Sequence, residues 1–179
     1  TRDQGDIHPE GNPHYWLDPL NGRLVAATVS ERLCVLYPEH KARFEENLRR
    51  FERDLDTRMF GTALVDALGG ENLWRAVAEK RLEAFMTEKG MADKAGGWYG
   101  TMRPHQGKNI VTYHRSWVYL TERFGLGGDL QLEPKPGIPP SAKHLASLVS
   151  DAKARKVRMI LQEPFYTLKA AEFVAARTG

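Results

Sequence analysis

The sequence is poor in cysteine. Cys34 is the single one among 179 residues, which excludes an internal disulfide and any cysteine-based metal cluster. Long apolar runs are also missing. No stretch approaches the roughly 20 apolar residues that a membrane-spanning helix needs. The polar start, Thr1 to Glu10, holds no signal-peptide core. Charge of one sign does not dominate: 26 Lys+Arg against 23 Asp+Glu leaves a net charge of +3, with the two signs interspersed. No basic run interleaves with aromatics, so nucleic acid is not an expected partner. A His-Glu-x-x-His helix, a Gly-x-Ser-x-Gly elbow and a Gly-rich phosphate loop are all absent. What remains, 41% hydrophobic and 27% charged, is a globular balance with enough chain for a core.

The present features begin at Gly11-Asn12-Pro13-His14-Tyr15-Trp16-Leu17-Asp18-Pro19. Pro13 and Pro19 push the residues before them out of the α region, so the stretch between them is predicted short, extended and stiff. Asp18-Pro19 reads as a helix entry, with Asp as N-cap and Pro at the first helical position. His14 is thereby held in a rigid segment beside aromatics. That arrangement suits metal ligation; the alternative is a histidine hydrogen-bonded inside its loop. Leu20, Leu24, Ala27, Leu33 and Leu36, then Phe44, Leu48, Phe51, Leu55 and Met59, recur at helical spacing. They predict one long amphipathic helix over 18–60, kinked near Pro38. Residues 61–107 are punctuated by glycines around short helical pieces such as Leu73–Phe85, and predict a compact subdomain.

From residue 108 the pattern alternates. Strands are predicted at Asn109–His114, Asp129–Glu133 and Val157–Gln162. Helices are predicted at Trp117–Phe124, closed by Gly125, at Ser141–Lys156, capped by Ser141, and at Leu168–Arg177. Such an order implies a parallel sheet with right-handed crossovers, hence an α/β fold. Ligands of these sheets sit beyond the carboxyl ends of the strands, where His114 falls.

The first stretch closely resembles the Asn-Pro-His-x-Trp-x-Asp-Pro hallmark of the extracytoplasmic solute-binding proteins of zinc and manganese ABC transporters. Two later stretches resemble the same family: Val111 to Leu120 with Arg123-Phe124-Gly125-Leu126, and Glu133 to Ser141. The resemblance implies a two-lobed metal-binding protein, with 1–17 ending an N-terminal lobe, 18–60 a connecting helix, 61–107 an insert and 108–179 an incomplete C-terminal lobe. It implies His14 and His114 as metal ligands, with the others upstream of Thr1 and downstream of Gly179. It implies zinc as the ion, with manganese as the alternative, an ABC permease as partner, and a periplasmic or extracytoplasmic location that allows a lipid-anchored parent. A chain of this extent is expected to bind zinc weakly and to associate with itself. His105 and Glu163 are further candidates for the cleft. Glu133-Pro134 reads as a structural turn, His8, His40 and His144 as surface residues, and Trp16 and Trp117 as packing that steadies the imidazoles. The rival readings are a zinc hydrolase with a His/carboxylate site and a purely structural interaction module.

Overall fold

A computed structural model describes residues 11–179; His8 lies outside them. The chain divides into two compact units, Asp18–Pro104 and the residues up to Leu17 joined with His105–Gly179.

The first of these is all helical. Asp18 caps α1 (Pro19–Leu36) by accepting from Leu20 N–H at 3.0 Å, as the sequence predicts. The predicted single kinked helix is corrected. After a 3-10 turn at Pro38–His40, α2 (Lys41–Phe60) runs back along α1. Arg23 pairs with both Glu52 and Asp56 at 3.4 Å, and the Ser30 hydroxyl reaches the Phe44 carbonyl at 3.4 Å. Residues early in α1 therefore meet residues late in α2. An apolar stripe satisfies either a kinked helix or a hairpin, so periodicity alone could not choose.

The expected Leu73–Phe85 piece is two helices, α4 (Gly70–Ala78) and α5 (Leu82–Glu88), which follow α3 (Thr62–Leu68). Lys80, at φ 55, breaks the chain between them. The core of this unit gathers Met59, Phe60, Leu64, Leu73, Trp74 and Met86. The Gly-rich loop ends in α6 (Gly97–Met102) and packs tightly: a Cβ on Gly97, at φ +58, would lie 2.3 Å from the Arg58 carbonyl oxygen. Its two aromatics part company, since Tyr99 is buried while Trp98 is 42% exposed.

The other unit is the expected parallel β/α arrangement. Strands β1 (Asn109–Thr112), β2 (Gly127–Gln131) and β3 (Ile160–Leu161) form a parallel sheet in the order β2-β1-β3. The central strand buries Ile110, Val111 and Thr112 together, as parallel strands covered on both faces do. Helix α7 (Val118–Phe124) ends on Gly125 at φ 68, the left-handed cap the sequence predicts. Ser141 caps α8 (Ala142–Ala154) by accepting from His144 N–H at 3.2 Å. Helix α9 (Lys169–Thr178) completes the unit. Val111, Leu130, Leu132, Leu148, Ala152, Val157 and Val174 make its core. Among the described residues no helix is long and apolar enough to cross a membrane.

Candidate metal centre

Both histidines singled out from the sequence belong to the unit that contains the sheet. His14 opens a 3-10 turn, His14–Leu17, where extended backbone was expected. In this tight helix residues three apart share a side. His14 and Leu17 are accordingly half-buried, while Tyr15 and Trp16 face outward. Trp16, expected to pack, is 63% exposed. The turn is tied to the far segment through Asn12, whose side-chain amide donates to the Arg115 carbonyl at 2.8 Å.

His114 stands two residues beyond β1 and is 7% exposed. Backbone pairing continues past the formal strand ends: Leu132 N–H donates to the Thr112 carbonyl at 2.8 Å and Glu133 N–H to the Tyr113 carbonyl at 3.2 Å. This register sets Glu133 beside His114. The buried Glu133 carboxylate accepts from His114 Nδ1, and its second oxygen accepts from Gly137 N–H at 3.2 Å. A carboxylate on one ring nitrogen fixes the orientation of a ligating histidine and makes its other nitrogen a better donor. Sequence reading takes Glu133-Pro134 for a turn; the pairing that gives Glu133 its second role spans strands, and no local pattern encodes it.

The ring centroids of His14 and His114 lie 5.3 Å apart, with an interplanar angle of 70°. Two imidazoles ligating one tetrahedral zinc through nitrogens at about 2.0–2.1 Å have centroids roughly 5 Å apart. The spacing therefore fits a shared ion. No group of three or more His, Cys, Asp or Glu that could hold a metal forms among the described residues.

The remaining candidates are engaged elsewhere. Glu163 accepts from the buried Ser116 hydroxyl. His105 Nδ1 lies 3.0 Å from Lys108 Nζ. His40 is exposed near Glu39, at 3.8 Å. His144, read as a surface residue, directs Nε2 to the Gln131 carbonyl at 3.0 Å and so ties α8 to the end of β2. Trp117 is half-buried. Tyr113 stacks on Tyr166 with centroids 3.8 Å apart. Burial, and then the charges of Glu133 and Glu163, raise the Tyr113 hydroxyl above the ordinary tyrosine value.

The family model ZnuA, "Zinc-uptake complex component A periplasmic", matches residues 1–59 and 76–179. The unmatched residues 60–75 cover α3 and the start of α4. The high-affinity zinc uptake system protein ZnuA of Brucella abortus (strain 2308) is 24% identical over 170 residues, covering 93% of this chain and 40% of that protein. Its Yersinia pestis counterpart is 25% identical over 172 residues, covering 96% and 43%. The chain thus spans well under half the length of these relatives. A ZnuA crystal structure superposes with a TM-score of 0.65 at 23% identity, over 100% of this chain and 57% of that one. A laminin-binding protein of Streptococcus agalactiae, described as having adhesin and metal transporting activity, gives 0.63 at 22% identity, over 94% and 51%. At these identities the structural likeness shows the fold. With a family model matched across most of its length, the chain belongs to the ZnuA family of periplasmic zinc-uptake components.

Proposed function

We propose that His14 and His114 are two ligands of a zinc ion carried in the periplasm or another extracytoplasmic space and handed to an ABC-type permease. The observation that carries the reading is the pair of imidazoles 5.3 Å apart, brought together across 100 positions of sequence. Imidazole nitrogens suit zinc better than manganese, which prefers oxygen ligands. The family's zinc-uptake description supports the same ion. Nothing in the comparisons supports the hydrolase reading, since the relatives are named as zinc-uptake proteins.

Calorimetric titration of the chain with zinc and with manganese tests the proposal. The expected result is weak zinc binding, lost in His14→Ala and in His114→Ala, with manganese binding weaker still. Undiminished zinc binding by both variants sinks the assignment.

Self-association belongs to the same reading. It is supported by the exposed Leu24, Val25, Val29 and Val35 of α1, an apolar surface of the kind that favours pairing. Light scattering over a wide concentration range should show a mass that rises with concentration; a constant monomer mass contradicts it.

A further inference from the structure

We infer that Asn12 is a positioning residue that fixes the tautomer of His14 and pins its turn to the His114 segment, so that both imidazoles are set before an ion arrives. The purpose of this device rests on the zinc-site reading; its geometry does not.

Four contacts converge on Asn12. Its Nδ2 donates to the Arg115 carbonyl at 2.8 Å, across 103 positions of sequence. Its own backbone carbonyl accepts from the Tyr119 hydroxyl at 3.0 Å, across 107 positions. Its Oδ1 accepts from the His14 backbone N–H at 3.0 Å and lies 2.7 Å from His14 Nδ1.

The chemistry of these partners leaves one consistent assignment. A backbone carbonyl only accepts, so Arg115 takes the NH2 side of the amide and fixes which way the amide points. Oδ1 therefore faces His14. An amide oxygen also only accepts, so His14 Nδ1 must carry a hydrogen, and in the neutral ring the lone pair then resides on Nε2. His114 reaches the same state by another route, since its Nδ1 donates to Glu133. Two rings held by different chemistry thus present the same nitrogen.

An amide is the group this position requires. Aspartate would still accept from His14, but it would set an oxygen against the Arg115 carbonyl. Alanine would lose both functions. Pro13, directly after Asn12, limits the conformations open to the turn, so one side chain suffices to hold it.

The test uses the metal-free chain with 15N-labelled histidine. Long-range 1H–15N correlations are read at about pH 8, above the ordinary imidazole pKa of about 6.5. Wild type is expected to show His14 in the Nδ1–H form. Asn12→Ala should show mixed tautomers at His14 and an unchanged His114, with zinc bound at least about 10-fold more weakly, the scale of losing such an orienting partner. Asn12→Asp and Tyr119→Phe should both keep the Nδ1–H form. Should Asn12→Ala fail to fold, Asn12→Asp decides, and loss of the Nδ1–H form there overturns the inference. Persistence of a pure Nδ1–H His14 in folded Asn12→Ala overturns it equally. If wild type binds no zinc, the zinc-site reading falls while the tautomer result still decides the role of Asn12.

Discussion

Glu133 shows how much one side chain does here beyond what its sequence neighbourhood suggests. Its carboxylate is buried, holds His114 Nδ1 and also accepts from Gly137 N–H. Glu133→Gln keeps an acceptor of nearly the same shape but removes the charge. Zinc affinity should fall about 10- to 100-fold, the usual cost of altering a partner that orients a metal-bound histidine. Competition with a chromophoric chelator measures this, and an unchanged affinity means the charge is not used. Tyr113 carries a second prediction. Its folded pKa is raised, so the neutral phenol is favoured by the native state. That stability is fully present below the unfolded tyrosine pKa of about 10 and is lost as pH rises through the higher folded value. Urea midpoints should decline across this alkaline window in wild type and decline less in Tyr113→Phe.

At the scale of elements, helix–helix contacts in the 18–104 unit turn on Asp56. This buried carboxylate of α2 accepts from Trp74 Nε1 of α4 at 2.5 Å and pairs with Arg23 of α1. Gly70, at the start of α4, allows the approach, since a Cβ there would sit 1.7 Å from Asp56 Oδ2. Gly70→Ala should destabilise the chain by about 1–3 kcal/mol through overpacking, read from chemical denaturation. Lys156, just after α8, works in the opposite sense. It holds a left-handed backbone at φ 53 that costs a side-chain-bearing residue about 1 kcal/mol or more. Lys156→Gly should raise stability by roughly 0.5–1 kcal/mol, the strain relieved less the extra chain entropy of glycine. A lower urea midpoint in that variant would show that the lysine contributes contacts that outweigh its strain.

For the whole molecule, stability and ligand binding are coupled. Both proposed ligands lie in the unit formed by the residues up to Leu17 and His105–Gly179. An ion that binds the folded form at about 100 times its Kd adds about 2.7 kcal/mol. Zinc should therefore raise the melting temperature, EDTA should reverse the gain, and His114→Ala should abolish it. A zinc-induced rise that survives in His114→Ala would place the ion elsewhere.

Local chemistry was legible in the sequence wherever a few neighbouring residues decide the outcome. Asp18-Pro19 predicted the start of α1, Gly125 the end of α7 and Ser141 the cap of α8, because each cap is made within one turn. The alternation after residue 108 predicted the parallel sheet, because strand and helix periods differ. The motifs around His14 and His114 were equally visible. Tertiary structure alone decided the rest. Whether the stripe over 18–60 closes on itself is decided by α2 folding back along α1 after the turn at Pro38–His40, which the pairing of Arg23 with Glu52 and Asp56 records. Whether Glu133 is a turn residue or a histidine's partner depends on strand register. The 5.3 Å between the two imidazoles depends on contacts more than a hundred residues apart. Sequence periodicity records which face of an element is buried, but it does not record what that face is buried against.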